Sequence, residues 1–174
     1  SYEGGSIEPA PCWTVGLLGR TEKSVGPQLA GALSIHPTGR FAYVVNRAHP
    51  LPGHPDAASP CGENSVVVFA LDRASGQPRE LQRTALPGLH ARCLSLSGDG
   101  RMLIAAMRQG GTVVDPGRGR LELEAGFACY RIDDSGQLSL LSHQPVNVGN
   151  EQLFWAEFAP PTCECDVDSR DWNA

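Results

Sequence analysis

AGALSIHPTGRFAYVVNR, residues Ala30 to Arg47, decides the reading of this chain because it comes back as RCLSLSGDGRMLIAAM, Arg92 to Met107. Ile35-His36-Pro37-Thr38-Gly39-Arg40 lies over Leu96-Ser97-Gly98-Asp99-Gly100-Arg101 at an offset of 61 residues. Downstream, VVVFALD (Val66 to Asp72) lies over GFACYRID (Gly126 to Asp133) at the same offset, with Phe69 over Tyr130. Gly76-Gln77 then meets Gly136-Gln137. A fixed period held over three separate anchors is an internal repeat.

Each anchor reads as a strand or a tight turn. Leu33-Ser34-Ile35 and Leu94-Ser95-Leu96 alternate apolar and small polar residues, whereas Phe41–Val45 and Met102–Ala106 are apolar runs of strand length. Pro-Thr-Gly, Gly-Asp-Gly and the Asp72–Gly76 and Asp133–Gly136 stretches carry turn chemistry, Gly supplying positive φ and Asp bonding its own backbone. One repeat therefore holds four strands joined by hairpins, the unit of a β-propeller blade. The spacing predicts strands near 32–36, 40–46, 64–71 and 79–86, then 92–97, 101–107, 125–132 and 138–146. Long insertions at about 50–63 and 109–124 separate the second and third strands of each unit.

Working outward, the expectation is an all-β chain with two four-stranded antiparallel blades, 31–87 and 91–147, plus flanking strands. Trp13 to Leu18 reads as the fourth strand of an earlier blade, 20–30 as a linker, and Phe154 to Phe158 as the first strand of another blade. Residues 159–174 are polar and acidic and read as a disordered tail. Phe69, Tyr130, Ile35, Leu96, Val44 and Ile104 are expected between the two sheets. Propellers close with several blades, so the chain reads as the C-terminal part of a longer propeller. The remaining blades would come from a parent chain or another copy.

Composition agrees. Hydrophobic residues make up 41% of 174, with 20 Gly and 14 Pro, a turn-rich content. No apolar run is long enough for a transmembrane helix, and a net charge of −5 without a basic cluster argues against nucleic acid. Of six cysteines, Cys93 and Cys129 fall in predicted strands as small buried thiols, and the spacing forms no disulfide framework. A reducing, cytoplasmic compartment is the expectation.

ALSIHPTGRFAYVVNRAH followed by NSVVVFALDRASGQPRELQ resembles the β-propeller lactonase family, the bacterial 6-phosphogluconolactonase type, over about residues 30–158. The Asn46-Arg47-Ala48-His49 run is its most specific part, and HARCLSLSGDGRMLIAAMRQ resembles the family's Pro-Arg-x-Phe segment. The resemblance implies a seven-bladed propeller that opens an anionic sugar lactone without a metal or other cofactor. Blade geometry adds that the end of a second strand shares a rim with the start of a first. Arg47, His49, His90 and Arg92 should therefore gather there, with both insertions. Arg47 and Arg92 would hold the anion and the developing oxyanion, His49 would serve as base or orienter, and His90 would touch substrate.

The chain departs from the family at Ala32, where members usually carry Glu or Asp, and at Ser34, where they often carry His. Activity is therefore expected to be weak or lost, unless Asp115, Glu122, Glu124 or Glu151 replaces the acid. His36 reads as structural. The alternatives are a non-catalytic binding or scaffold propeller and a metal-binding loop built on His49, His54 and Cys61; the spacing of the last matches no zinc pattern.

Overall fold

The computed structural model describes residues 2–3, 6–7, 9–19, 28–48, 63–115 and 119–159. Its strands are β1 (Tyr2–Glu3), β2 (Ser6–Ile7), β3 (Gln28–Ile35), β4 (Phe41–Ala48), β5 (Ser65–Leu71), β6 (Pro78–Ala85), β7 (Leu89–Leu96), β8 (Met102–Gln109), β9 (Gly111–Asp115), β10 (Gly119–Leu123), β11 (Gly126–Ile132) and β12 (Leu138–Pro145). No helix occurs among the described residues. Two four-stranded sheets run in the orders β3-β4-β5-β6 and β7-β8-β11-β12, antiparallel throughout. The 109–124 insertion is a hairpin, β9–β10, set between the second and third strands of the second sheet.

The turns are built as their residues require. Asp72 Oδ1 accepts from the Ser75 amide at 2.8 Å, and Asp133 Oδ1 accepts from the amides of Ser135 and Gln137, both at 2.9 Å. Gly100 and Gly136 take positive φ, 72° and 83°. Both also sit where the sheets meet. A Cβ at Gly100 would lie 2.4 Å from His36 Nε2, and one at Gly136 would lie 2.5 Å from the Phe41 ring.

Phe41, Tyr43, Val45, Val66 and Val68 of the first sheet pack against Leu94, Leu103, Met107, Tyr130 and Ile132 of the second. Burial holds the Tyr130 hydroxyl up at about 12. Polar ties cross the same seam. The buried Tyr43 hydroxyl donates to the Gly136 carbonyl at 3.0 Å. Gln82 mimics a peptide, donating to Leu138 O at 2.9 Å and accepting from Leu138 N at 2.6 Å. His36 Nδ1 accepts from the Thr38 amide, and its Nε2–H donates to Gly100 O at 2.9 Å. His36 is thus a bridge between the two sheets.

The six residues expected between the sheets divide. Tyr130 is there, and Leu96 packs half-buried beside it. Val44 and Phe69 are buried on the far face of the first sheet, in a cluster with Ala42, Val67, Leu17 and Leu71. Ile35 is 48% exposed, and half-buried Ile104 pairs with Ser95 and Cys129 on the far face of the second sheet. The reason is rotational. Repeat-equivalent residues such as Phe69 and Tyr130 occupy the same face of successive sheets, and the sheets stack head to tail. The face that meets a neighbour in the second sheet therefore looks outward in the first.

Two expected flanking strands also differ. Trp13–Leu18 is irregular chain laid over the outer face of the first sheet; Asn46 Nδ2 donates to Leu17 O at 3.2 Å and Trp13 Nε1 donates to Ser75 O at 2.9 Å. Phe154–Phe158 has no strand pairing either. It lies along β7, where the Ala156 amide donates to buried Cys93 Sγ at 3.1 Å and the Phe158 amide donates to Ser95 Oγ at 3.3 Å. Residues 28–30, expected in a linker, extend β3 past a bulge between Ala30 and Leu33. Cys129 is half-buried rather than buried. The predicted tail from 160 onward, and Cys61, lie outside the described residues.

Glu63 fastens the first of these covering segments. Its carboxylate accepts from the Gly19 amide at 2.7 Å and Ser65 Oγ at 2.8 Å, and pairs with Arg83. Burial pushes this carboxyl up, but the Gly19, Ser65 and Arg83 contacts outweigh that and hold it below its ordinary value.

Replacing Tyr43 by Phe leaves the buried Gly136 carbonyl without its donor and should lower the unfolding free energy by about 1–2 kcal/mol, read from urea midpoints at unchanged m. Because the folded-state pKa of Glu63 is depressed, its contribution is complete above the ordinary glutamate pKa and is lost as pH falls through the folded value. The stability gap between wild type and Glu63→Gln should therefore be constant near neutrality and close on acidification below about pH 4.5.

Candidate functional site

The ends of β4 and β8 and the starts of β5, β7 and β11 share one rim, as the pairings Gln28↔Ala48 and Leu89↔Gln109 require within each sheet. Arg47, near the end of β4, is half-buried. Its Nε donates to Ala30 O at 3.0 Å, and its Nη1 lies 3.0 Å from His90 Nε2 on β7. The rims of both sheets therefore coincide, as expected from the sequence.

Arg92 reaches this rim by a device that alternation does not contain. The β7–β8 register shifts between Ala91 and Cys93, so Arg92 is the extra residue of a β-bulge and its exposed side chain is released from the in–out pattern. The first sheet has the same shift between Ala30 and Leu33, with Gly31 at the position equivalent to Arg92.

A third guanidinium joins them. Arg108 Cζ sits 4.4 Å from the centroid of the Phe154 ring and Arg92 Cζ sits 5.5 Å from it, so one aromatic ring meets two cations. Arg108 also donates to Gln152 Oε1, and its carbonyl accepts from the Leu153 amide at 3.1 Å. Burial, then the charges of Arg92 and Arg108, lower the Arg47 pKa. Among the described residues no carboxylate pairs with any of the three. Arg108 was not among the residues singled out from sequence, although it stands 61 residues after Arg47, at the repeat offset.

His90 is buried behind Arg47 rather than open at the rim. His49 and His54 lie outside the described residues. Asp115 ends β9. Glu122, on β10, accepts from Thr112 Oγ1 at 2.7 Å, and exposed Glu124 donates its amide to Pro87 O at 3.4 Å beside the start of β7. Exposed Glu151 precedes the Gln152–Phe154 stretch that meets Arg108. Ala32 packs against the inter-sheet core, whereas Ser34 lines a cavity of about 360 Å³ with Ser95, Ser97, Trp155 and Glu157. Glu157, which accepts from Trp155 Nε1 at 3.3 Å, is a carboxylate that the sequence reading passed over. Among the described residues no group of His, Cys, Asp and Glu is placed to hold a metal ion.

Two stacked four-stranded sheets with a repeat-related arginine pair on one rim describe neighbouring propeller blades, and residues 14–123 match the family described as "Lactonase, 7-bladed beta-propeller". The chain belongs to the seven-bladed β-propeller lactonase family. Among solved structures, this lactonase-family chain is similar to the periplasmic gluconolactonase of Pseudomonas aeruginosa, at 26% identity and TM-score 0.53 over 80% of this chain and 31% of that one. A protein from Lactobacillus plantarum aligns at 22% identity and TM-score 0.51 over 74% of this chain and 29% of that one. The chain thus spans about three-tenths of the length of these solved relatives. No curated protein matches it.

Three neighbouring guanidiniums, with no carboxylate paired to them among the described residues, repel one another, and a multivalent anion relieves that repulsion by binding only the folded rim. Phosphate should therefore raise the melting temperature more than chloride at equal ionic strength. The difference should vanish in Arg47→Met and in the Arg92→Met, Arg108→Met pair, as read by calorimetry.

Proposed function

We propose that this rim binds the anionic group of a sugar lactone, of the 6-phosphogluconolactone type, in a propeller that hydrolyses it slowly. The observation that carries the reading is the gathering of Arg47, Arg92 and Arg108 on one rim, with no carboxylate paired to them among the described residues. Guanidinium forks suit phosphate and carboxylate oxygens, and the same charge stabilises the oxyanion that develops as water attacks the lactone carbonyl. The attacking water must lose a proton; His49, two residues beyond Arg47, is the candidate base that the family resemblance supplies. The likeness to a protein described as a gluconolactonase supports a sugar lactone as substrate, and the arginines supply the argument for an anionic one.

The expected slowness comes from Ala32. Its methyl group packs at the seam between the sheets, where members of the family usually carry an acid. A methyl group neither takes a proton nor orients an arginine. A second reading, a propeller that binds anionic sugars without turning them over, is favoured by that same residue.

Hydrolysis of 6-phosphogluconolactone, followed by pH-stat on the complete protein, tests the proposal. Arg47→Met and Arg92→Met should each lower kcat/KM by about 10²-fold, the typical cost of losing an oxyanion donor. Ala32→Glu should raise kcat, within the ~10²–10⁴-fold range of general acid–base catalysis. An efficient wild-type enzyme indifferent to Ala32→Glu would contradict the account of Ala32. Tight anion binding with no turnover in either chain would favour the binding protein.

A further inference from the structure

His90 is the one non-glycine residue with positive φ among the described residues, at 56°, and it is only 3% exposed. A buried side chain in the left-handed region is kept only where its surroundings over-determine it, and such positions cluster at functional sites. Its repeat equivalent, Leu29, lies in β3 without this twist. The turn at 90 is therefore particular to the second sheet, and in it the ring meets Arg47.

The chemistry of that contact has one solution. A guanidinium carries only donors. The 3.0 Å approach of Arg47 Nη1 to His90 Nε2 thus requires Nε2 to accept, which makes the imidazole neutral with its proton on Nδ1. Arg47 is held a second time by Nε donating to Ala30 O on its own sheet. The two ties span the seam from β3 to β7 and fix the plane of a cation that lies in the field of two neighbouring cations.

We propose that His90 is a positioning residue, whose neutral imidazole holds the Arg47 guanidinium in its anion-binding orientation against the repulsion of Arg92 and Arg108. This rests on the anion-binding reading of the rim given above. The histidine does not touch the anion; it acts through Arg47.

The test is phosphate binding by isothermal titration, with thermal unfolding alongside, for the complete protein and four variants. His90→Gln keeps an acceptor near the place of Nε2, and His90→Leu has a similar shape without one. His90→Gly relieves the backbone and removes the ring, and Arg47→Met removes the cation. His90→Leu and His90→Gly should bind phosphate about tenfold more weakly, a loss of the size expected for one charge-assisted hydrogen bond. His90→Gln should stay close to wild type. Equal binding by the Gln and Leu variants, or wild-type binding by His90→Gly, would overturn the positioning role. Should the Gln and Leu variants fail to fold, the Gly variant decides alone. Loss of binding in Arg47→Met with none in the His90 variants sinks this inference and spares the anion site, whereas wild-type binding by Arg47→Met sinks both.

Discussion

Head-to-tail packing of one sheet on the next is the constraint from which the rest follows. Two sheets related by rotation expose opposite faces to each other, so each must be apolar on both sides. That is why β4 and β5 are buried almost without interruption from Phe41 to Asn46 and from Ser65 to Phe69. Burial on both faces removes the freedom to place polar groups at will, and the few that cross the seam are satisfied by specific partners. The Tyr43 hydroxyl, the Gln82 amide and the His36 ring each meet backbone of the second sheet. Such contacts fix the angle and register of the two sheets, which apolar packing alone specifies only loosely.

The rim inherits its geometry from that register. Arg47 belongs to one sheet and His90 and Arg92 to the other, so the cluster exists only because the two are held in step. It is built at a cost: like charges crowd together, and a histidine is twisted into the left-handed region. Under the proposed reading a multivalent anion balances these charges, and two of the cations also meet the Phe154 ring.

Much of this was legible in the sequence because a repeat with a fixed offset locates strands more firmly than propensity does. The eight blade strands fall within a few residues of their expected places. Facing was harder to read. Phe69 and Tyr130 are equivalent by the repeat, and an offset alone does not say that equivalents must look at different neighbours. Trp13–Leu18 was read as a strand from apolar content and Phe154–Phe158 from its place 61 residues after Cys93–Ser97, but neither signal separates a segment that covers a sheet from one that pairs with it. Both segments lie across sheet faces instead of along an edge. Arg92 was placed on the rim from strand order alone, whereas a bulge turns it there, and no local pattern announces a bulge. Arg108 was missed although the offset that links Ile35 to Leu96 also links Arg47 to Arg108.

A crystal structure of the protein with bound 6-phosphogluconate, the ring-opened product, tests the central claim most directly. The phosphate is expected at the rim, within about 3 Å of guanidinium nitrogens of Arg47 and Arg92, with Arg47 still anchored on His90. A ligand seated instead in the cavity beside Ser34, Trp155 and Glu157, with the arginine rim empty, would contradict it.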